Sequence, residues 1–226
     1  MPRMPAARQL TLALGHGESF AAEDFLPGPP NAAAHAMVTC WPDWPARVLA
    51  LVGPEGAGKS HLAAIWAEQA GARFLAARAL RGADLPAALA TGALVVEDLA
   101  PEAFDETALF HLLNLAREEG AWLLLTARSA PSAWRLSLPD LASRLRAVPV
   151  AAMAPPDDAM LRAVLVKLFA DRQLAVDESV VAYLLPRIER SFAAARAAVA
   201  RLDAEALRLK RPVTRALAAE LFRSAS

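Results

Sequence analysis

The chain has a single cysteine, Cys40, in 226 residues, and four scattered histidines, His16, His35, His61 and His111. The first fact excludes an internal disulfide framework, and the second gives no metal-ligand spacing. No apolar run approaches the roughly 18 uninterrupted residues of a membrane span. The N-terminal MPRMPAARQ runs into LTLAL rather than into a longer apolar core with a cleavage site, so a cytoplasmic location with no membrane attachment is expected. Neither sign of charge prevails, with 24 basic and 24 acidic side chains. Residues 151–226 lean basic, 12 against 9, but a net +3 is too small to indicate nucleic-acid binding. What remains is the composition of a globular chain of one or two domains, 56% hydrophobic.

Within it stands Gly53-Pro-Glu-Gly-Ala-Gly-Lys-Ser60, which satisfies the GxxxxGKS pattern of a phosphate-binding loop. The apolar run Val48–Val52 precedes it and a helix-like stretch, His61 to Gln69, follows, which is the strand, loop and helix context the motif requires. Glycines at 53, 56 and 58, with Ala57 between the last two, let successive backbone N–H groups close around phosphate oxygens. Lys59 reaches the outer phosphates, Ser60 is placed to ligate Mg²⁺, and His61 follows on the helix. ADP or ATP with Mg²⁺ is the implied ligand.

Strand-length apolar runs recur at Val48–Val52, Phe74–Ala77, Ala93–Glu97, Trp122–Thr126 and Val148–Ala152, between helical patterns. That alternation predicts an α/β fold, a parallel sheet with crossover helices. In 107–119, Leu109, Leu112, Leu113 and Ala116 share one helix face, predicted to pack on the sheet. After Pro155-Pro156 the pattern becomes helical only, at about 157–173, 178–189, 191–210 and 214–223, which predicts an all-helical lid over 155–226 after an α/β nucleotide-binding domain over 19–154. The strand ending Glu97-Asp98 offers two carboxylates, Glu97 for the Mg²⁺ shell and Asp98 to orient a water, or Asp98 for the metal if the register shifts by one. Trp41 and Trp44 are expected to cap a core.

These features together resemble the AAA+ ATPases, and among them the ATPase module of the replication initiator DnaA and its short regulatory relatives, over residues 19 to 223. Phe20, Asp24-Phe25, Gly28 and Asn31 match the family's F…DxFxxGxxN segment, which the resemblance places against the adenine, with Phe25, Gly28 and Asn31 as binding residues. Leu138-Pro-Asp-Leu-Ala-Ser-Arg-Leu145 is similar to the box that carries the arginine finger, putting Arg144 in the finger position. The reading of the residues alone leaves Arg144 paired with Asp140, one turn earlier on the same helix.

The segment 1–18 is expected to be flexible, and its Gln9-Leu-Thr-Leu-Ala-Leu14 resembles the QLxLxL peptide that docks on the sliding clamp of DNA polymerase III. In an extended chain Leu10, Leu12 and Leu14 project to one side, and Gln9 adds an amide. No helix-turn-helix segment follows the lid pattern, so duplex reading is not expected, and DNA would be met indirectly through the clamp. The family's lid arginine at the phosphates aligns with Ala193, with Arg190 and Arg196 three residues to either side, and Thr126-Ala-Arg128 stands at an altered first sensor. Both departures point to weak intrinsic ATP turnover. The resemblance implies a clamp-docked regulator of replication initiation that stimulates ATP hydrolysis by DnaA, and it admits assembly with copies of itself. The competing reading is an ATPase that loads a helicase or moves on single-stranded DNA.

Overall fold

A computed structural model describes residues 22–223. Five strands, β1 (Val48–Val52), β2 (Arg73–Ala76), β3 (Ala93–Leu99), β4 (Trp122–Ala127) and β5 (Val150–Ala152), form one sheet in the order β2-β3-β4-β1-β5. Every neighbouring pair is parallel, with Val48 opposite Leu123 and Ala50 opposite Val150. The crossovers carry α2 (Lys59–Ala70), α3 (Leu85–Leu89), α4 (Glu106–Glu119) and α5 (Pro139–Arg146), and α1 (Ala32–Thr39) precedes β1.

Alternate strand residues feed two cores, as the period of two requires. Ala50, Val52, Leu94, Val96, Leu123 and Leu125 join Leu109, Leu112, Leu113 and Ala116 of α4 and Leu141 and Leu145 of α5 on one face. Leu49, Leu51, Ala93, Val95 and Leu124 join α1 and α2 on the other. The four α4 positions are those that periodicity assigns to the sheet, and each fully buried leucine there contributes about 1.5–3 kcal/mol. Trp44 is core, 6% exposed, its Nε1 donating to Val38 O and its ring stacked on Trp66 at 4.9 Å.

A third apolar cluster is built from α6 (Asp158–Asp171), α7 (Glu178–Leu184), α8 (Phe192–Leu209) and α9 (Arg215–Leu221), around Leu161, Leu165, Phe169, Val181 and Leu202. Several boundaries differ from the periodicity. Helix α7 ends at Leu184 rather than near 189, because Pro186 has no N–H to continue the ladder, although Leu185 itself keeps helical backbone at φ −46°, ψ −49°. Helix α2 starts at Lys59, two residues early, directly out of the glycine loop. Strand β5 is three residues long, since Val148 still donates back to Leu145 O in the turn out of α5, and Pro149, whose carbonyl accepts from Ala50 N–H, has no N–H of its own to pair. Strand β3 runs two residues further, to Leu99, by way of a register shift against β4 between Val96 and Leu99. Among the described residues no helix is long and apolar enough to cross a membrane.

Candidate nucleotide-binding site

Because β1 lies between β4 and β5 while its own chain continues into α2, a crevice opens at the C-terminal ends of these strands. The glycine loop fills it. Gly56 and Gly58 are left-handed, at φ 72° and 94°, a conformation that costs any residue with a Cβ about 1–2 kcal/mol. Gly58 caps α2 without a side chain, so the first N–H groups of that helix receive no acceptor from their own N-cap residue. The loop is braced by β4 through Gly53 N–H to Ala127 O at 3.1 Å. Ala57, 1% exposed, anchors it in the α2-side core.

Lys59 Nζ donates to Gly53 O and Pro54 O, both at 2.8 Å, so the ammonium closes back on its own loop. Burial pushes it below the usual lysine range, while Asp98 pulls it up, Arg128 pushes it down and Glu55 pulls it up. Ser60 hydrogen-bonds the Glu97 side chain. Burial pushes the Glu97 carboxyl above its ordinary range, the Ser60 bond opposes this, and Asp98 adds to it.

The strand-end acids are separated by the register shift. Asp98 takes φ 58°, its N–H donates to Thr126 Oγ1 at 3.0 Å, and its side chain is exposed. Glu97, in step with Ala93 and Val95, stays on the α2 face beside Ser60. Leu99 then returns to the α4 face. The donor set fits a Mg²⁺–nucleotide: a hydroxyl and a carboxylate in contact, beside a lysine whose ammonium rests on two loop carbonyls.

Beside the loop lies a cavity of about 460 Å³, lined by Phe25, Leu26, Asn31, Gly58, His61, Val164, Leu168, Phe192, Ala193 and Arg196, with Asp24, Lys167 and Asp171 among its charged groups. Phe25 stacks on His35 at 5.1 Å and meets the His61 ring edge-on at 5.4 Å. Asn31, 2% exposed, accepts from Gly28 N–H through Oδ1 at 2.8 Å and donates to Leu26 O at 3.1 Å. Gly28 and Asn31 therefore shape the turn that presents Phe25 and Leu26, and Asn31 also reaches the cavity wall. The lid touches the loop directly: Phe192 N–H donates to Gly56 O at 3.0 Å. Lys167 ties the lid to Asp24 at 2.7 Å and also pairs with Asp171 at 3.1 Å.

Of the two arginines flanking Ala193, the structure puts Arg196 on the cavity wall, while Arg190 pairs with Asp158 at 3.0 Å. Arg144 lies elsewhere, on α5 across the sheet from α2. Its guanidinium donates to Asn114 Oδ1 and covers the Phe110 ring at 4.6 Å from the centroid. The Asp140 pairing that sequence spacing suggests is replaced by these two α4 residues, because α5 packs against α4 and brings them nearer than its own previous turn. Gln9, Leu10, Leu12, Leu14 and Phe20 lie outside the described residues. Sequence reasoning passed over the Glu55–Arg128 ion pair, 2.6 Å across the loop. Its one signal was an arginine two residues after Thr126.

No protein-family model and no curated protein matches the sequence. Among solved structures, domain III of the Thermotoga maritima replication initiation protein DnaA superposes with a TM-score of 0.75 at 20% identity, over 90% of this chain and 95% of that one. The replication initiator DnaA bound to AMPPCP and single-stranded DNA gives 0.64 at 18% identity, over 83% of this chain and 67% of that one. The Thermotoga maritima RuvB Holliday junction branch migration motor gives 0.66 at 17%, over 85% and 65%. Identities this low speak to the fold alone, and the fold they share with this chain is the AAA+ P-loop NTPase core, a parallel five-stranded sheet between helices, followed by a small helical lid.

Proposed function

We propose that this chain binds ADP or ATP with Mg²⁺ in the crevice and acts as a negative regulator of DNA replication initiation, in the manner of Hda, the short DnaA-related regulator. Gln9, Leu10, Leu12 and Leu14 dock it on the sliding clamp, and Arg144 reaches the nucleotide of an ATP-bound DnaA to promote its hydrolysis. The nucleotide contributes phosphate charge for the loop to hold. Lys59 and the loop amides grip the diphosphate, Ser60 and Glu97 hold the Mg²⁺ shell, and Phe25 with His61 walls the base.

The observation that carries the reading is the division of the arginines. Ala193, where related ATPases bring an arginine to the phosphates, stands on the cavity wall. Arg144 packs on the other face of the sheet, on the α4–α5 side. With Ala193 at that position, Arg196 the one flanking arginine on the cavity wall, and Arg144 turned away from it, the arrangement suits action in trans. A finger guanidinium of this kind is worth ~10³–10⁵ in rate where it has been isolated.

The test is ATP hydrolysis by DnaA in the presence of DNA-loaded clamp. Arg144→Ala should abolish stimulation while ADP affinity holds. It should also lower stability by about 1 kcal/mol, from the lost Asn114 and Phe110 contacts. Asn114→Ala breaks the same hydrogen bond but leaves the guanidinium, and should still stimulate. Replacing Gln9, Leu10 and Leu12 with alanine should eliminate clamp binding in a surface-immobilised assay. Undiminished stimulation by Arg144→Ala would remove the mechanism. Intrinsic turnover above about 1 s⁻¹ with salt-dependent single-strand affinity would favour the loader instead.

A further inference from the structure

The net +3 of residues 151–226 is unevenly spread. From Tyr183 to Arg223 the chain carries 9 basic and 4 acidic side chains, whereas 151–182 carries 3 and 5. The arginines of this stretch and of α6 divide by partner. Arg162, Arg172, Arg190 and Arg208 face the carboxylates of Glu178, Asp203, Asp158 and Glu205. Arg187, Arg201 and Arg215 lie over aromatic rings instead. Arg187 stands 3.8 Å and Arg215 5.9 Å from the centroid of one ring, Tyr183, and Arg201 stands 5.2 Å from that of Phe222. Among the described residues none of these three forms a salt bridge; Arg201 acts on Glu205 by its charge, but the hydrogen bonds of that carboxylate go to Arg208.

One helix aligns the three. Helix α9 packs on both α7 and α8. Arg215 is its first residue and Phe222 its C-cap, so the two lie within about 20° of one face and about 10 Å apart along the axis. Arg187 and Arg215 mark one end of this ridge, Arg201 the other, and all are exposed. A ring beneath a guanidinium holds it by its face and leaves the N–H edge to solvent; Arg187 is held further by its bond to Tyr183 O at 2.9 Å.

Positioned guanidinium groups with no carboxylate partner suit an anion that repeats along a line, which is a phosphodiester backbone. The rings on which the bases of a single strand would stack are already covered by the arginines, which favours a duplex. A protein partner needs an apolar centre, and the large exposed apolar side chains among the described residues, Phe74, Val166 and Leu207, all lie outside α7 and α9.

We propose that the α7–α9–α8 face of the lid binds the phosphate backbone of duplex DNA, without reading its sequence, through Arg187, Arg201 and Arg215. This goes beyond the function proposed above, in which DNA is met through the clamp, and does not depend on the nucleotide crevice.

Fluorescence anisotropy of a labelled mixed-sequence duplex of about 25 base pairs, titrated with the full chain between about 50 and 200 mM salt, tests this. The wild type should bind unrelated sequences equally, with a dissociation constant of roughly 10⁻⁴–10⁻⁶ M. Arg187→Gln, Arg201→Gln and Arg215→Gln together should weaken binding about tenfold or more and flatten the slope of log K against log salt by about 2.7, or about 0.9 for each change alone. Lysine at the same three positions keeps the charge and should keep most of the affinity. Arg162→Gln, Arg190→Gln and Arg208→Gln remove the same charge from acid-paired positions and should change binding less than about threefold. Equal loss in the two glutamine triples would reveal diffuse charge, and equal loss with lysine a packing effect; either overturns the assignment. A single strand bound more tightly than the duplex, or polyglutamate displacing the duplex at equal charge, would give the face to base stacking or to an acidic protein and overturn it as well. No duplex affinity at about 50 mM salt would overturn it while the nucleotide and clamp readings stand.

Discussion

Helices α6 to α9 each open with a side chain that accepts from their first backbone N–H groups: Asp157 from Met160, Asp177 from Ser179, Ser191 from Ala194 and Thr214 from Leu217. Helix α2 opens at Gly58 with none. The two arrangements answer the same physical demand, since every helix leaves four N–H groups without an internal partner. In the lid the chain satisfies them from its own sequence, and those helix ends become scaffold. At α2 the donors and the positive end of the helix dipole are left facing the crevice, beside Lys59. Closed helix ends contribute to stability, whereas the uncapped start of α2 is the end that the proposed function assigns to an anion.

Variants can break that contrast, and the largest effect is expected at Lys59. Lys59→Ala removes the mobile cation at the open end and should cost at least about a hundredfold in ADP affinity, the loss of two charge-assisted contacts. Since burial already penalises the charged ammonium, its melting temperature should hold or rise. Calorimetry and thermal denaturation read the two separately, and parallel loss of fold and affinity would argue against an open ligand end.

Next is Gly56→Ala. A Cβ there would lie 2.4 Å from Ser191 Cβ, on a backbone at φ 72°. We expect destabilisation of about 1–3 kcal/mol in chemical denaturation. Ser191→Gly in the same chain should relieve the contact but not the backbone strain, so partial rescue is the signature of a lid seated on the loop.

Asp157→Ala addresses a closed end. It should cost about 1 kcal/mol of stability and leave nucleotide affinity unchanged, because its carboxylate caps the Met160 N–H at 2.8 Å and does not line the cavity. A change in affinity comparable to that at Lys59 would erase the distinction between the two kinds of helix end.

The smallest effect concerns Glu97. Its carboxyl is raised in the fold, chiefly by burial, so the folded state holds the proton more tightly than the unfolded one. That contribution to stability is complete below the ordinary carboxylate range and is lost as pH rises through the folded value. Glu97→Gln should flatten the decline of stability on the alkaline side of the ordinary carboxylate range, by a fraction of a kcal/mol, while weakening Mg²⁺-dependent binding. A steeper decline in the variant would contradict the sign of the shift.

The fold was legible because its signals are local or periodic. The glycine loop is a contiguous string, and Leu109, Leu112, Leu113 and Ala116 announce a buried face by spacing alone. The site was legible only in its backbone-borne parts. The position of Asp98 depends on one residue of register against β4, which apolar alternation cannot resolve once Leu99 continues the run. Arg144 exchanges an expected partner one turn away for Asn114 and Phe110, about 30 residues distant. Arg190 and Arg196 look equivalent in sequence until packing sends one to Asp158 and the other to the cavity. The Glu55–Arg128 pair spans 73 residues between two loops with no shared periodicity. Such contacts are set by tertiary packing, to which a one-dimensional pattern is blind.

The tryptophan cluster has an optical consequence. Trp44 stacks on Trp66 and meets Trp122 edge-on at 5.8 Å, and Trp41 leans on Trp122 at 6.1 Å. The fifth, Trp134, lies near Phe104, and none of the five follows residue 134. The lid instead carries the chain's single tyrosine, Tyr183, under the Arg187 guanidinium at 3.8 Å. Indole emission thus reports the sheet and its flanking helices, whereas melting of α6–α9 alone would pass unseen in that channel. A lid that opens or unfolds first would appear as loss of helical circular dichroism at constant tryptophan fluorescence.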